Sequence, residues 1–201
     1  IKYQVGLGDV VDVVEAINET KKKIKVESVS LIGNSYGGYL GLKTLVEHPE
    51  KVDSVFSING VTDWWNLIAK IPWSPFTAHF GGLPSFNKTP ENIASRKKYD
   101  ASAIVNKISK IGDQKIIIGH GTKDGTINPN QASLIYGLLK KQNKNANLVW
   151  YEDEDHVFVK TKSIENICRN MFETIGLESL VERSHSMKLG KARVCVFPKS
   201  Q

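Results

Sequence analysis

Cysteine and methionine are scarce in this 201-residue chain, at two each, and no apolar run approaches the length of a membrane span. A spanning helix needs about 20 consecutive apolar residues, so a membrane-embedded function is not expected. Cys168 and Cys195 form no CxxC pair. With so few cysteines, neither a disulfide framework nor a zinc site is expected, and Cys168, on the apolar face of a helix, is read as a core residue. The low cysteine content fits a reducing compartment, and a cytoplasmic location is the expectation. The chain opens on Ile1 and not on methionine, so the lack of a signal peptide carries no weight. Long runs of one charge are also missing. The net charge is +6, but its basic residues fall into short clusters at 21–25, 96–98 and 140–144, without interleaved aromatic residues. That distribution describes a solvated surface and not a nucleic-acid site.

What the chain does contain is ordinary for a globular protein, with 40% hydrophobic and 24% charged residues. Its length suits one domain with a real core. Asp9 is placed to cap a helix through Val10, Val13, Val14 and Ile17, closed by the polar stretch 19–25. A strand is expected at about 26–32, a helix at 37–47 ended by His48-Pro49, and a second buried strand at 52–58. Residues 66–113 are irregular, with room for short helical pieces, and carry Pro72, Pro75, Pro84 and Pro90 and Trp73, Phe76, Phe80 and Phe86. Such an excursion either walls a pocket or packs over a sheet edge. A third strand at 115–118, a helix after Asn128-Pro129, a fourth strand at 148–151 and a last helix stopped by Gly176 follow. Strands alternating with helices indicate an α/β fold with a mostly parallel sheet and flanking helices. The division expected is 1–178 as the α/β domain and 179–201 as a basic tail, flexible or adding an edge strand.

The first strand ends in Gly33-Asn34-Ser35-Tyr36-Gly37, a Gly-x-Ser-x-Gly pattern followed at once by a helix. This is the form of a nucleophile elbow, a sharp turn that holds a serine in a strained backbone. Glycine is expected on both sides of Ser35 because side chains would collide there. In a parallel sheet, functional side chains gather at the carboxyl ends of the strands. Ser35, Asp124 and His156 all follow strand ends, in the order found in α/β-hydrolases. A serine hydroxyl needs an imidazole to take its proton, and the imidazole needs a carboxylate to orient it. Asp63 is the main rival for the acid. His48, His79, His120 and His185 are rivals for the base, with His120 more simply holding a turn.

Four motifs carry a family resemblance: Gly33-Asn34-Ser35-Tyr36-Gly37-Gly38-Tyr39, Val61-Thr62-Asp63-Trp64, His120-Gly121-Thr122-Lys123-Asp124 and Asp155-His156-Val157-Phe158. Together they resemble the catalytic domain of the prolyl oligopeptidase family, chiefly its dipeptidyl-peptidase and acylaminoacyl-peptidase branches. The resemblance runs from about Gly6 to Leu177. It implies the C-terminal part of an α/β-hydrolase fold, with Ser35 as nucleophile, Asp124 as orienting acid and His156 as base. It further implies the Tyr36 amide as an oxyanion donor, and Val61, Trp64 and Ile127 as the pocket for the residue before the scissile bond. Without the resemblance, Val61 and Trp64 are core residues. No metal or cofactor is implied.

The departures are equally specific. Members carry a β-propeller and earlier hydrolase strands, so the chain is expected to be N-terminally incomplete and to have that missing part as its partner. A second oxyanion donor belongs to the missing part, and losing one such donor costs roughly 2.7–4 kcal/mol. The elbow strand is left with an unpaired edge. The expected function is a serine peptidase acting on short peptides through an acyl-enzyme. A carboxylesterase of the same fold and an inactive fragment of a split peptidase are the alternatives.

Overall fold

The structure is a computed structural model and describes residues 5–70, 89–177, 185–189 and 192–196. Strands β1 (Ser30–Asn34), β2 (Ser54–Ile58), β3 (Lys115–Gly121) and β4 (Ala146–Tyr151) form one sheet in chain order, every neighbouring pair parallel. The α/β reading holds. Among the described residues, the outer edge of β1 carries no strand.

Side chains on successive strand residues point to opposite faces, and the apolar residues follow that alternation. Val55, Ile116 and Ile118 join a cluster with Leu42, Leu45 and Val46 of α2 (Tyr36–Glu47) and Ile135 and Leu139 of α5 (Asn130–Lys141). Phe56, Ile58 and Ile117 face the other way, against Ile167 and Met171 of α6 (Thr161–Thr174). Helix α1 (Gly8–Lys23) lies against α2 and adds Ile17 to the first cluster. Burial on both faces explains why β2 is continuously apolar or small, as central parallel strands are.

Several boundaries differ from the sequence reading. Asp9 does not cap α1; it sits in the first turn, where its Oδ1 accepts from the Val10 amide. The helix continues through the polar stretch to Lys23, supported by the Glu19–Lys22 pair at 2.5 Å and by three lysines in its last turn. Strand β1 starts at Ser30 because the Asp53 carboxylate takes the Val29 amide at 2.7 Å, before the ladder begins. Within 66–113, helices α3 (Trp64–Lys70) and α4 (Pro90–Ser102) are the helical pieces for which the irregular pattern left room. Pro72, Pro75, Pro84, Trp73, Phe76, His79, Phe80 and Phe86 lie outside the described residues.

In the basic C-terminal stretch, β5 (His185–Leu189) and β6 (Ala192–Val196) pair antiparallel as a separate hairpin and do not extend the main sheet. The hairpin packs on α6. Cys168 of α6 is 1% exposed and disulfide-bonded. The chain's one other cysteine is Cys195, on β6. This corrects the expectation of a thiol in the core: burial was legible from helical periodicity, but the disulfide was not. Cysteine content therefore gives no argument for a reducing compartment.

Candidate active site

Strand β1 delivers Ser35 into a turn with φ 55°, ψ −118°, left-handed backbone that a non-glycine residue adopts only when its surroundings impose it. Two hydrogen bonds impose it here. The Ser35 amide donates to Ile58 O at 2.8 Å, and Ser35 O accepts the Tyr39 amide at 3.1 Å, the first bond of α2. A Cβ on Gly33 would lie 2.3 Å from the Gly37 backbone, so the first glycine is a steric necessity. The second is not where the pattern places it: a Cβ on Gly37 meets nothing within 4 Å, whereas one on Gly38 would lie 2.8 Å from Ser57 Oγ. Close approach of α2 to β2 falls one residue later than expected.

The ends of β3 and β4 bring the other two candidates to Ser35. His156 Nε2 lies 2.9 Å from Ser35 Oγ, and His156 Nδ1 lies 2.8 Å from Asp124 Oδ2. Asp124 is 5% exposed. Its Oδ1 accepts the amides of Thr126 and Ile127, each at 2.8 Å. Burial acts to raise its pKa, but the hydrogen bonds from His120, His156 and Ile127 and the His156 charge outweigh it. The carboxyl is held below the usual range.

The rivals are occupied elsewhere. The Asp63 carboxylate accepts the Asn66 amide at the start of α3. His48 follows α2 and faces Glu50. His185 is on β5. His120 is fully buried, with Nε2 at 3.0 Å from Ile127 O and 3.3 Å from Asp124 Oδ2. It braces the turn that presents Asp124, as read, and also reaches the carboxylate itself.

The acidic turn 152–155 has a local use that composition alone did not reveal. The buried Glu154 carboxylate accepts the amides of Val159 and Lys160, each at 2.9 Å, closing the loop ahead of α6. Asp155 Oδ1 accepts the Gly125 amide at 3.0 Å and its neighbour His156's at 2.6 Å, joining the loops of His156 and Asp124. Asp153 pairs with Lys123 at 2.7 Å across the same gap. The signal for these roles was a run of carboxylates beside a turn, too general to assign.

Tyr36 heads α2, half-buried, its ring 5.8 Å from that of Trp64, and its hydroxyl donates to Asp9. Val61, Trp64 and Ile127 are each at most 2% exposed and lie in the larger core cluster. Gln131, also missed, is buried on α5 and accepts the amides of Thr62 and Asp63 at 2.8 and 3.0 Å, fixing the Val61–Trp64 turn.

These positions make an arrangement able to move a proton from Ser35 Oγ to an imidazole whose far nitrogen faces a carboxylate. A sequence profile of the prolyl oligopeptidase family matches residues 2–173. Dipeptidyl peptidase 4 of Bos taurus is 24% identical over 173 residues, 85% of this chain and 21% of the bovine protein. The "Inactive dipeptidyl peptidase 10" of Mus musculus is 26% identical over 165 residues, 81% of this chain and 19% of that protein. A Mycobacterium tuberculosis puromycin-hydrolyzing peptidase superposes with a TM-score of 0.70 at 19% identity, over 88% of this chain and 26% of its own, which shows the α/β-hydrolase fold. This chain thus spans about a fifth of the length of these curated relatives. On the profile match, over most of its length, the chain belongs to the prolyl oligopeptidase family.

Proposed function

We propose that these residues form the catalytic part of a serine peptidase that cleaves short peptides through an acyl-enzyme. The observation that carries this reading is the His156 ring, which spans Ser35 Oγ at 2.9 Å and Asp124 Oδ2 at 2.8 Å. Ser35 Oγ attacks the scissile carbonyl carbon while His156 Nε2 takes its proton. Asp124 holds the ring with Nδ1–H toward itself and stabilises the imidazolium. The carbonyl oxygen, now an oxyanion, is met by the Tyr36 amide at the start of α2, aided by the helix dipole. His156 then returns the proton to the leaving amine, and the C–N bond breaks. Water, deprotonated by the same nitrogen, releases the acyl group and restores Ser35. Half-buried Tyr36 offers its ring to the residue before the scissile bond, and Val61, Trp64 and Ile127, at most 2% exposed, pack behind that wall.

A second reading is favoured by the outer edge of β1, which carries no strand among the described residues, and by the fraction of the relatives that this chain spans. In it, the site works only with the rest of the enzyme, whose strands pair with β1 and supply a second oxyanion donor. One relative is named as inactive, so activity needs a direct test. The purified chain is assayed on short peptide p-nitroanilides and on p-nitrophenyl esters, beside Ser35→Ala. Amide hydrolysis that the substitution abolishes supports the peptidase. Ester hydrolysis alone supports the esterase, and no turnover by folded protein supports dependence on the missing part.

A further inference from the structure

Strand β2 ends at Ile58, and the residue that follows is placed unusually. Asn59 is fully buried and has φ 47°, left-handed backbone outside the elbow and without glycine. Its amide donates to Gly119 O at 2.9 Å. Its side chain bridges two loops of the site: Oδ1 accepts the Gly121 amide at 2.9 Å, and Nδ2 donates to the His156 carbonyl at 3.0 Å. Only one orientation of the carboxamide satisfies both. A flipped amide would set NH₂ against the Gly121 N–H and oxygen against the His156 oxygen. One residue earlier, Ile58 O accepts the Ser35 amide at 2.8 Å. Two consecutive residues at the end of β2 therefore hold the Ser35 elbow, the strand end that leads to Asp124, and the backbone of His156.

The His156 tether matters because of where the other anchors lie. Glu154 and Asp155 secure the loop before His156 and at its amide, and Glu154 also fixes Val159 and Lys160 beyond it. Between them, Val157 is 73% exposed, while the Phe158 ring packs 4.8 Å from that of Tyr151. The carbonyl of His156 is tied to the sheet by Asn59.

We propose that Asn59 is a positioning residue: its carboxamide sets the depth of the His156 backbone, and through it the simultaneous contacts of the imidazole with Ser35 and Asp124. The inference rests on Ser35 being the nucleophile. A displacement of about 1 Å in such a pair costs up to about 100-fold in rate. The competing explanation is that asparagine is present only because it tolerates left-handed backbone. Glycine separates the two, since it accepts the same backbone and removes the carboxamide. Asn59→Asp, read at a pH where its buried carboxyl is ionised, keeps an acceptor for Gly121 and loses the donor to His156.

The test measures fluorophosphonate labelling of Ser35 in the wild-type chain, Asn59→Gly and Asn59→Asp, with the melting temperature of each. The low-field NMR signal of the proton between His156 Nδ1 and Asp124 is recorded in parallel. Both variants are expected to fold, to lose about 10- to 100-fold in maximal labelling rate with half-saturating reagent concentration little changed, and to broaden or lose the low-field proton. Labelling of Asn59→Gly at the wild-type rate, with the proton signal unchanged, overturns the inference and leaves asparagine a turn residue. If the glycine variant does not fold, the near-isosteric Asn59→Asp decides by the same two readouts. If wild-type protein is not labelled, the nucleophile reading has failed. The proton signal then decides alone: its retention in both variants overturns the role of Asn59, and its loss supports it.

Discussion

The phenolic hydroxyl of Tyr36 donates a hydrogen bond to the carboxylate of Asp9, tying the first turn of α1 to the residue that follows Ser35. Burial first, and then this carboxylate, push the phenol well above its ordinary range. Asp9 is 5% exposed, so its loss leaves a partly buried hydroxyl without its acceptor. Asp9→Ala is expected to lower stability by about 1.5–3 kcal/mol, the range for hydrogen bonds to charged groups. Urea unfolding midpoints measure it. An unchanged midpoint would mean that the contact contributes nothing to the fold.

Four tyrosines share an upward shift, with burial the largest cause in each: Tyr36, Tyr39, Tyr99 (pushed up to about 12) and Tyr151. A folded pKa above the unfolded one gives stability that is present below about pH 10 and lost as pH rises through the folded value. Absorbance titration at alkaline pH should show these four phenols un-ionised near pH 10 in native protein, and ionised there on adding denaturant. Equal native and denatured titrations would contradict their burial.

Asp124 shifts the opposite way, and so does its linkage. Its contribution to stability is present above the usual carboxylate pKa near 3.9 and is lost as pH falls through its own lower value. Wild-type stability should therefore fall more steeply below about pH 4 than that of Asp124→Asn, which has no such group to protonate. Parallel acid limbs in urea titrations would argue that the carboxylate is not held by His120, His156 and the Ile127 amide. The same variant should lose on the order of 10⁴ in turnover, as an asparagine leaves the imidazole in the wrong tautomer.

Glycine substitutions around the elbow are expected to rank by space and not by motif. Gly33→Ala and Gly38→Ala drive a Cβ into backbone or Ser57 and should cost about 1–3 kcal/mol or more, as overpacking does. Gly37→Ala meets nothing within 4 Å and should be within about 1 kcal/mol of wild type, the ordinary glycine-to-alanine range in a helix. Thermal unfolding of the three variants checks the order. Gly37→Ala as the most damaging would reverse the steric assignment.

Much of the fold and the trio at its centre was legible because the signals were local. The continuous buried runs of β2 and β3 and the apolar face of α6 reveal strands and helices in short windows. Ser35, Asp124 and His156 could be named because a parallel sheet gathers side chains at its strand ends. What remained hidden depends on partners far along the chain. Asn59 bonds to Gly121 and His156, 62 and 97 residues away, and Gln131 supports a turn 69 residues earlier. Asp9 looked like a cap because caps are the common use of aspartate before an apolar stripe, and its tyrosine partner lies 27 residues on. Helix α1 runs past the end that its polar stretch suggests because lysines in the last turn complement the helix dipole. The Cys168 pairing had no sequence spacing to announce it.

The central claim is that Ser35 is an activated nucleophile because His156 bridges it to Asp124. The most direct measurement is mass spectrometry of folded protein treated with a fluorophosphonate, with digestion to locate the adduct. The account predicts one adduct, on the peptide containing Ser35, lost in Ser35→Ala and greatly slowed in Asp124→Asn. Folded protein that gains no adduct, or gains it on a different residue, would contradict it.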